Sequence, residues 1–168
     1  SEEMAGIRVI RVWSYITANE GALKRILDYQ SFMVTATLAT LFVRRVDVIL
    51  GTSPQFFTVC AAYVVSRLKR IPFVFELRDL WPASIKAVEA LPDSTALRAL
   101  ERLELFLYRK AAWIVSVTHS IKENLVARGV DGEKITVISN GVDISRFKPM
   151  PKDLDLVNEL GLKGKFVA

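Results

Sequence analysis

The sequence predicts an α/β fold, a mainly parallel sheet with helices on both faces. Three observations carry that expectation. The short apolar runs VDVIL, PFVFEL, WIVSV and ITVIS recur with helical patterns between them, the order of parallel strands joined by helical crossovers. Hydrophobic residues make up 51% of 168 residues, with only six prolines and eight glycines, so the chain is globular rather than disordered or fibrous. There is no internal repeat or low-complexity segment to suggest a solenoid.

Taken in order, Ile7 to Val12 alternates apolar and basic residues, the pattern of a strand with one face covered. Leu23, Ile26, Leu27, Phe32 and Met33 then lead into a long apolar helix ending near Arg44-Arg45. A strand follows over Val46–Leu50. Gly51, Ser53 and Pro54 interrupt the chain there, and a helix runs from Gln55 to Leu68. The next strand, residues 72–77, ends abruptly in Arg78-Asp79, and Pro82 suits the first turn of the helix after it. Asp93 or Ser94 can cap a further helix whose stripe of Leu97, Leu100, Leu103 and Leu107 reads as core. After WIVSV, Ser120 and Glu123 fit a capping box, and Gly129 can close that helix in the left-handed conformation. ITVIS then runs into a loop.

Composition narrows the function without naming it. The net charge of +5 permits a nucleotide, phosphate or anionic lipid partner, while a set of merely solvated lysines accounts for it equally well. The single cysteine, Cys60, offers neither a disulfide framework nor a metal cluster and fits a reducing compartment. Val48 to Ser66 carries no charge but is broken by glycine, serine and proline. Tyr29 to Val43, 15 uncharged residues, falls short of the roughly 20 needed to cross a bilayer. The acidic opening Ser1-Glu2-Glu3 is not a signal peptide.

In an open parallel sheet, ligands bind outside the carboxyl ends of the strands. Four loops qualify: Gly51-Thr52-Ser53-Pro54, Arg78-Asp79-Leu80-Trp81-Pro82, Thr118-His119-Ser120 and Ser139-Asn140-Gly141-Val142-Asp143. Thr52 and Ser53, His119, and Asn140-Gly141 each have a plain structural reading as turn, cap or helix start. Arg78 and Asp79 require either an ion-pair partner or a chemical task, because a charged pair ends an apolar strand. Trp81 reads as a packing residue of the pocket wall.

VISNGVDISRFKP, residues 137–149, resembles the segment that ends the N-terminal domain of family 4 glycosyltransferases with the GT-B fold. FVFELRDLWPASI, residues 73–85, resembles the branch that builds bacterial O-antigen, capsule and exopolysaccharide, including the fucosamine transferases. RRVDVILGTSP and LERLELFLYRKAAWIVSVTHSIKENLVARGV follow the same order, so the resemblance covers nearly the whole chain. It implies a Rossmann-like domain and retaining transfer of a sugar from a nucleoside-diphosphate donor to a hydroxyl of a saccharide acceptor, lipid-linked in that branch. For such a transfer the charged strand end supplies the candidate catalytic residues, Asp79 to orient or take a proton from the acceptor hydroxyl and Arg78 to pair with acceptor phosphate or position that carboxylate. Thr52, Ser53, Trp81, Thr118, His119, Ser120, Asn140 and Gly141 become the substrate-binding set. No metal, cofactor or nucleic acid is implied, since the nucleotide-sugar is a substrate.

On this reading residues 1–147 form an incomplete acceptor-side domain, 148–164 an interdomain linker, and 165–168 the start of a donor domain. The first strand and its glycine-rich loop are expected before residue 1, and the 168 residues alone are expected to be inactive. A lipid-linked acceptor implies a cytoplasmic enzyme peripheral at the inner face of the plasma membrane. The basic clusters Arg44-Arg45, Arg67-Lys69-Arg70 and Arg109-Lys110 have two readings, complements to helix dipoles or contacts to an anionic membrane surface. A sugar-nucleotide epimerase of the same architecture and a non-catalytic ligand-binding module remain the alternatives.

Overall fold

The chain opens with an antiparallel hairpin, β1 (Glu2–Met4) paired to β2 (Ile7–Val9). Ala5 and Gly6 join them with φ of 50° and 78°, the two positive values of the turn that best matches strand twist. The computed structural model describes residues 1–16, 22–80 and 95–166. The sequence predicts a longer strand over Ile7–Val12 with one covered face. Instead β2 pairs locally and is largely exposed, because the two-residue turn supplies a nearby partner. Residues beyond β2 run along helix α1 (Ala22–Leu41), where Ser31 Oγ accepts from Tyr15 N at 2.8 Å and Thr35 Oγ1 donates to Trp13 O at 2.6 Å. Thr37 and Thr40 bond back to the carbonyls four residues earlier, so an apolar helix carries hydroxyls without orphaning them.

From there strand and helix alternate as the sequence predicts. The elements are β3 (Ile49–Thr52), α2 (Phe56–Lys69), β4 (Phe73–Leu77), α3 (Thr95–Lys110), β5 (Trp113–Ser116), α4 (His119–Ala127), a 3-10 turn (Gly132–Lys134), β6 (Ile135–Val137) and α5 (Leu154–Glu159). The four later strands pair in parallel in the order β3-β4-β5-β6. Strand β3 lies later than the predicted Val46–Leu50, because its partner begins at Phe73. Ile49 N donates to Pro72 O, but proline returns no N–H.

One row across the sheet, Gly51, Phe75, Ile114 and Ile135, stands in register. Phe73, Phe75 and Leu77 point inward with it, and helices α2, α3 and α4 complete the fully buried core. A side chain of this size contributes about 1.5–3 kcal/mol on burial. Gly51 is required by close approach: a Cβ there would meet Ala62 Cβ at 2.8 Å and Val59 Cα at 3.1 Å. Phe75 packs on Tyr108 with ring centroids 5.0 Å apart, and Tyr63 meets Phe106 edge-on at 5.4 Å.

Helix α3 departs from its predicted stripe. Leu97 and Leu107 are buried, but Leu103 is 38% exposed and Glu104 takes the inward position at 1%. Glu104 is held there by the Tyr108 hydroxyl, which donates to Oε1 at 2.7 Å, and by Arg128 Nη2, which donates to Oε2 at 2.6 Å. Helix α4 likewise starts before the predicted capping box. Thr118, with extended backbone, accepts from Ile121 N, which leaves Ser120 inside the first turn. Gly129 adopts φ of 81°, as predicted. Pro82, Asp93 and Ser94 lie outside the described residues. No helix among the described residues is long and apolar enough to cross a membrane.

Candidate functional site

Backbone hydrogen bonds continue beyond the strand ends and bring the four predicted loops to one edge of the sheet. Ser53 N donates to Glu76 O at 3.0 Å, Val117 N to Leu77 O at 3.3 Å, and Ile138 N to Ser116 O at 2.8 Å. The residues after β3, β4, β5 and β6 are therefore side by side. Ser53 fixes the most charged of these junctions. Its side chain is buried, and its Oγ accepts from Arg78 N at 2.9 Å and from Asp79 N at 3.4 Å. The serine predicted to touch substrate is thus occupied in shaping the turn that presents Arg78 and Asp79.

The Arg78 and Asp79 side chains are exposed, and neither forms an ion pair among the described residues. A guanidinium and a carboxylate therefore remain available at the edge, on a backbone that is fixed. Thr52 is half-buried and donates to Ser53 O at 3.1 Å. Across from it in register lies Glu76, half-buried on the sheet face away from the core. The Glu76 carboxylate has no hydrogen-bond partner among the described residues. Sequence reasoning missed this third ionisable group; the inward alternation of Phe73, Phe75 and Leu77 was the available signal.

Thr118 is committed as the N-cap of α4, accepting from Ile121 N at 3.2 Å. His119 and Ser120 are exposed in the first turn of that helix. Asn140 and Gly141 are exposed in the loop after β6, where a Cβ on Gly141 would meet nothing. Just beyond, Asp143 organises its own turn. Ser145 Oγ and N donate to its carboxylate at 2.6 and 2.9 Å, and the hydroxyl bond foremost holds the carboxyl below its ordinary range. Trp81 lies outside the described residues. Burial pushes the Cys60 thiol up to about 11, which disfavours the thiolate form. A cavity of about 860 Å3 is lined by Asp153, Leu156, Val157, Leu162 and Phe166 around α5, and by no residue of the four loops.

An open parallel sheet with its polar loops gathered at the carboxyl edge agrees with what the chain matches. Residues 1–141 match the family model described as the glycosyl transferase 4-like domain. The chain belongs to this family. Two solved structures of the Anabaena protein Alr3699/HepE resemble this glycosyl transferase 4-like domain. The complex with UDP-glucose has a TM-score of 0.58 at 19% identity, covering 86% of this chain and 35% of that one. The complex with UDP and glucose has a TM-score of 0.58 at 19% identity, covering 84% and 34%. At such identity the likeness shows a shared fold, and the chain spans about a third of the Anabaena protein's length. No curated protein sequence matches the chain.

Proposed function

We propose that this glycosyl transferase 4-like domain is the acceptor-side part of a retaining glycosyltransferase. The enzyme moves a sugar from a nucleoside-diphosphate donor to a hydroxyl of a lipid-linked saccharide, in the assembly of a cell-surface polysaccharide of the O-antigen or capsule type. The observation that carries the reading is Arg78–Asp79 at the carboxyl edge, without an ion-pair partner among the described residues, on a turn fixed by buried Ser53. Family membership supports the sugar-transfer chemistry. The resemblance of residues 73–85 to the fucosamine transferase branch supports the substrate class. Residues 148–164 then serve as the linker to a donor domain. This agrees with the exposure of Leu154, Leu156 and Leu160 around α5.

In this reaction the bond from the sugar's anomeric carbon to the diphosphate oxygen breaks, and a bond to the acceptor oxygen forms on the same face. The transition state has oxocarbenium character, and negative charge develops on the leaving diphosphate. The acceptor proton passes to the departing phosphate, with Asp79 first orienting the hydroxyl and accepting the proton only where phosphate does not. Arg78 pairs with an acceptor phosphate or holds the Asp79 carboxylate in place. Positioned acid–base help of this kind is worth roughly a hundred- to ten-thousand-fold. In the intact enzyme, Asp79→Asn should lower turnover by more than about tenfold, with donor binding and melting temperature nearly unchanged. Normal turnover by that variant would remove Asp79 from the reaction.

A further inference from the structure

Strand β4 carries a carboxylate where its pattern calls for an apolar side chain. A parallel sheet buries its strands on both faces, and the other residues of β4, Phe73, Val74, Phe75 and Leu77, are all apolar. Glu76 is half-buried on the side away from the core. Its carboxylate forms no hydrogen bond or ion pair among the described residues. Taking an ionised carboxylate out of water without a partner is costly, so its position requires a group of complementary chemistry. Helices α2, α3 and α4 do not supply one, because they complete the core on the opposite face. On the face of Glu76, Leu50 and Trp113 stand 56% and 44% exposed.

The strand register sets this carboxylate at the candidate site. Thr52, the last residue of β3, is the partner of Glu76 across the ladder, and Ser53 beside it holds the amides of Arg78 and Asp79. Two residues along a strand span about 7 Å, so one pyranose with its hydroxyls bridges Glu76 and Arg78. An ionised carboxylate only accepts hydrogen bonds and a guanidinium only donates them. Arg78 therefore suits phosphate oxygens, and Glu76 suits the hydroxyls of a sugar. Thr52 Oγ1 donates to Ser53 O, which leaves its lone pairs for a further hydroxyl. We infer that Glu76 binds the acceptor through the hydroxyls of a neutral sugar and disfavours an acceptor with a uronate carboxylate at that position. This rests on the sugar-transfer reading and names the class of its acceptor. Residues 76–79 already set two carboxylates against a single guanidinium, so a third carboxylate, brought by substrate, meets net repulsion.

Saturation-transfer NMR of the intact protein tests this without catalysis, using methyl hexosides, methyl N-acetylhexosaminides and the matching methyl hexuronides. Neutral glycosides should bind and hexuronides should not. Glu76→Leu should weaken neutral-glycoside binding by about tenfold or more, since hydrogen bonds to a charged group are lost. Glu76→Gln keeps one acceptor oxygen, so it should lose less and should admit hexuronides. The proposal is overturned if the parent binds no neutral glycoside, if it binds hexuronides equally well, or if Glu76→Leu binds as the parent does. In the transfer assay, Glu76→Leu should raise acceptor KM with kcat and donor KM nearly unchanged, whereas Asp79→Asn lowers kcat. If Glu76→Gln and Glu76→Leu shift the melting temperature while glycoside affinity is kept, Glu76 pairs within the protein and the proposal fails. Glycoside binding that depends on Glu76 in a protein without sugar transfer would refute the transfer reading and keep this one. Transfer whose acceptor KM is unmoved by Glu76→Leu would do the reverse.

Discussion

Replacing Arg128 with methionine tests the least expected interaction in the core. Glu104 is 1% exposed and has both carboxylate oxygens occupied, by Tyr108 and by Arg128. Arg128 itself remains 26% exposed. Removing one partner of a fully buried pair costs about 3–5 kcal/mol. Water already reaches Arg128, so a loss of about 2–3 kcal/mol is expected from the same source. For a domain of this size that corresponds to a melting temperature lower by about 5–10 °C. The pH dependence has a definite sign. Burial foremost pushes the Glu104 carboxyl above its ordinary value near 4.5, with Tyr108 and Arg128 pulling against it. Its folded pKa therefore exceeds its unfolded pKa, the native state binds more protons between them, and stability falls as pH rises through that window. Without Arg128 the folded pKa rises further. The variant's deficit should therefore be largest at neutral pH and shrink toward pH 4.5. Glu104→Gln added to Arg128→Met should recover much of it, since no charge is then buried. Thermal melts of the single and double variants across pH read this directly. A single variant within about 0.5 kcal/mol of the parent, or a deficit that ignores pH, would refute the pairing.

Gly51→Ala should destabilise by about 1–3 kcal/mol, because the new methyl would lie 2.8 Å from Ala62 Cβ; an unchanged melt would mean that α2 gives way freely. If the proposed sugar transfer holds, Ser53→Ala should lower its turnover in the intact protein while leaving donor KM in place, since the Arg78 and Asp79 amides lose their acceptor. Turnover kept in Ser53→Thr but lost in Ser53→Val would assign that effect to the hydroxyl, and normal turnover in Ser53→Ala would dismiss it.

The strand–helix alternation and all four loops were legible because each rests on local pattern. Apolar runs, the charged end of β4 and the Gly129 stop are all contained within a few residues. What the sequence concealed depends on partners distant in the chain. Glu104 looks like a solvated helix position until Arg128, 24 residues on, closes over it, and Leu103 then yields the inward place. Ser53 looks like a turn residue until the amides of residues 78 and 79 are seen on its hydroxyl. The cap of α4 lies two residues before the one the sequence suggests, because Thr118 and Ser120 have equal side-chain chemistry. Only the extended backbone at 118 distinguishes them. In β2 the alternation marks a strand, but the covered face it implies is absent, because Ile7–Val9 pairs with Glu2–Met4 in an exposed hairpin.

The basic surplus separates by residue type once the contacts are known. Lys69 closes the end of α1 through two carbonyls, and Lys122 donates to Ile135 O at 2.8 Å. Lys134 gathers the carbonyls of Tyr108, Arg109 and Ala111 at the end of α3. Partial burial lowers its pKa, with Asp131 opposing. A compact ammonium with three donors suits converging carbonyl oxygens at a helix end, and among the basic clusters of the sequence Lys69 takes that helix-end role. The arginines at the ends of α1 and α2 do not. Their flat guanidinium forks are better matched to paired oxygens on a phosphate than to a fan of carbonyls, and they stand exposed beside Phe42. Lys69, Lys122 and Lys134 tie helix and strand ends together, Arg128 closes over Glu104, and the exposed arginines at the ends of α1 and α2 form no ion pair among the described residues.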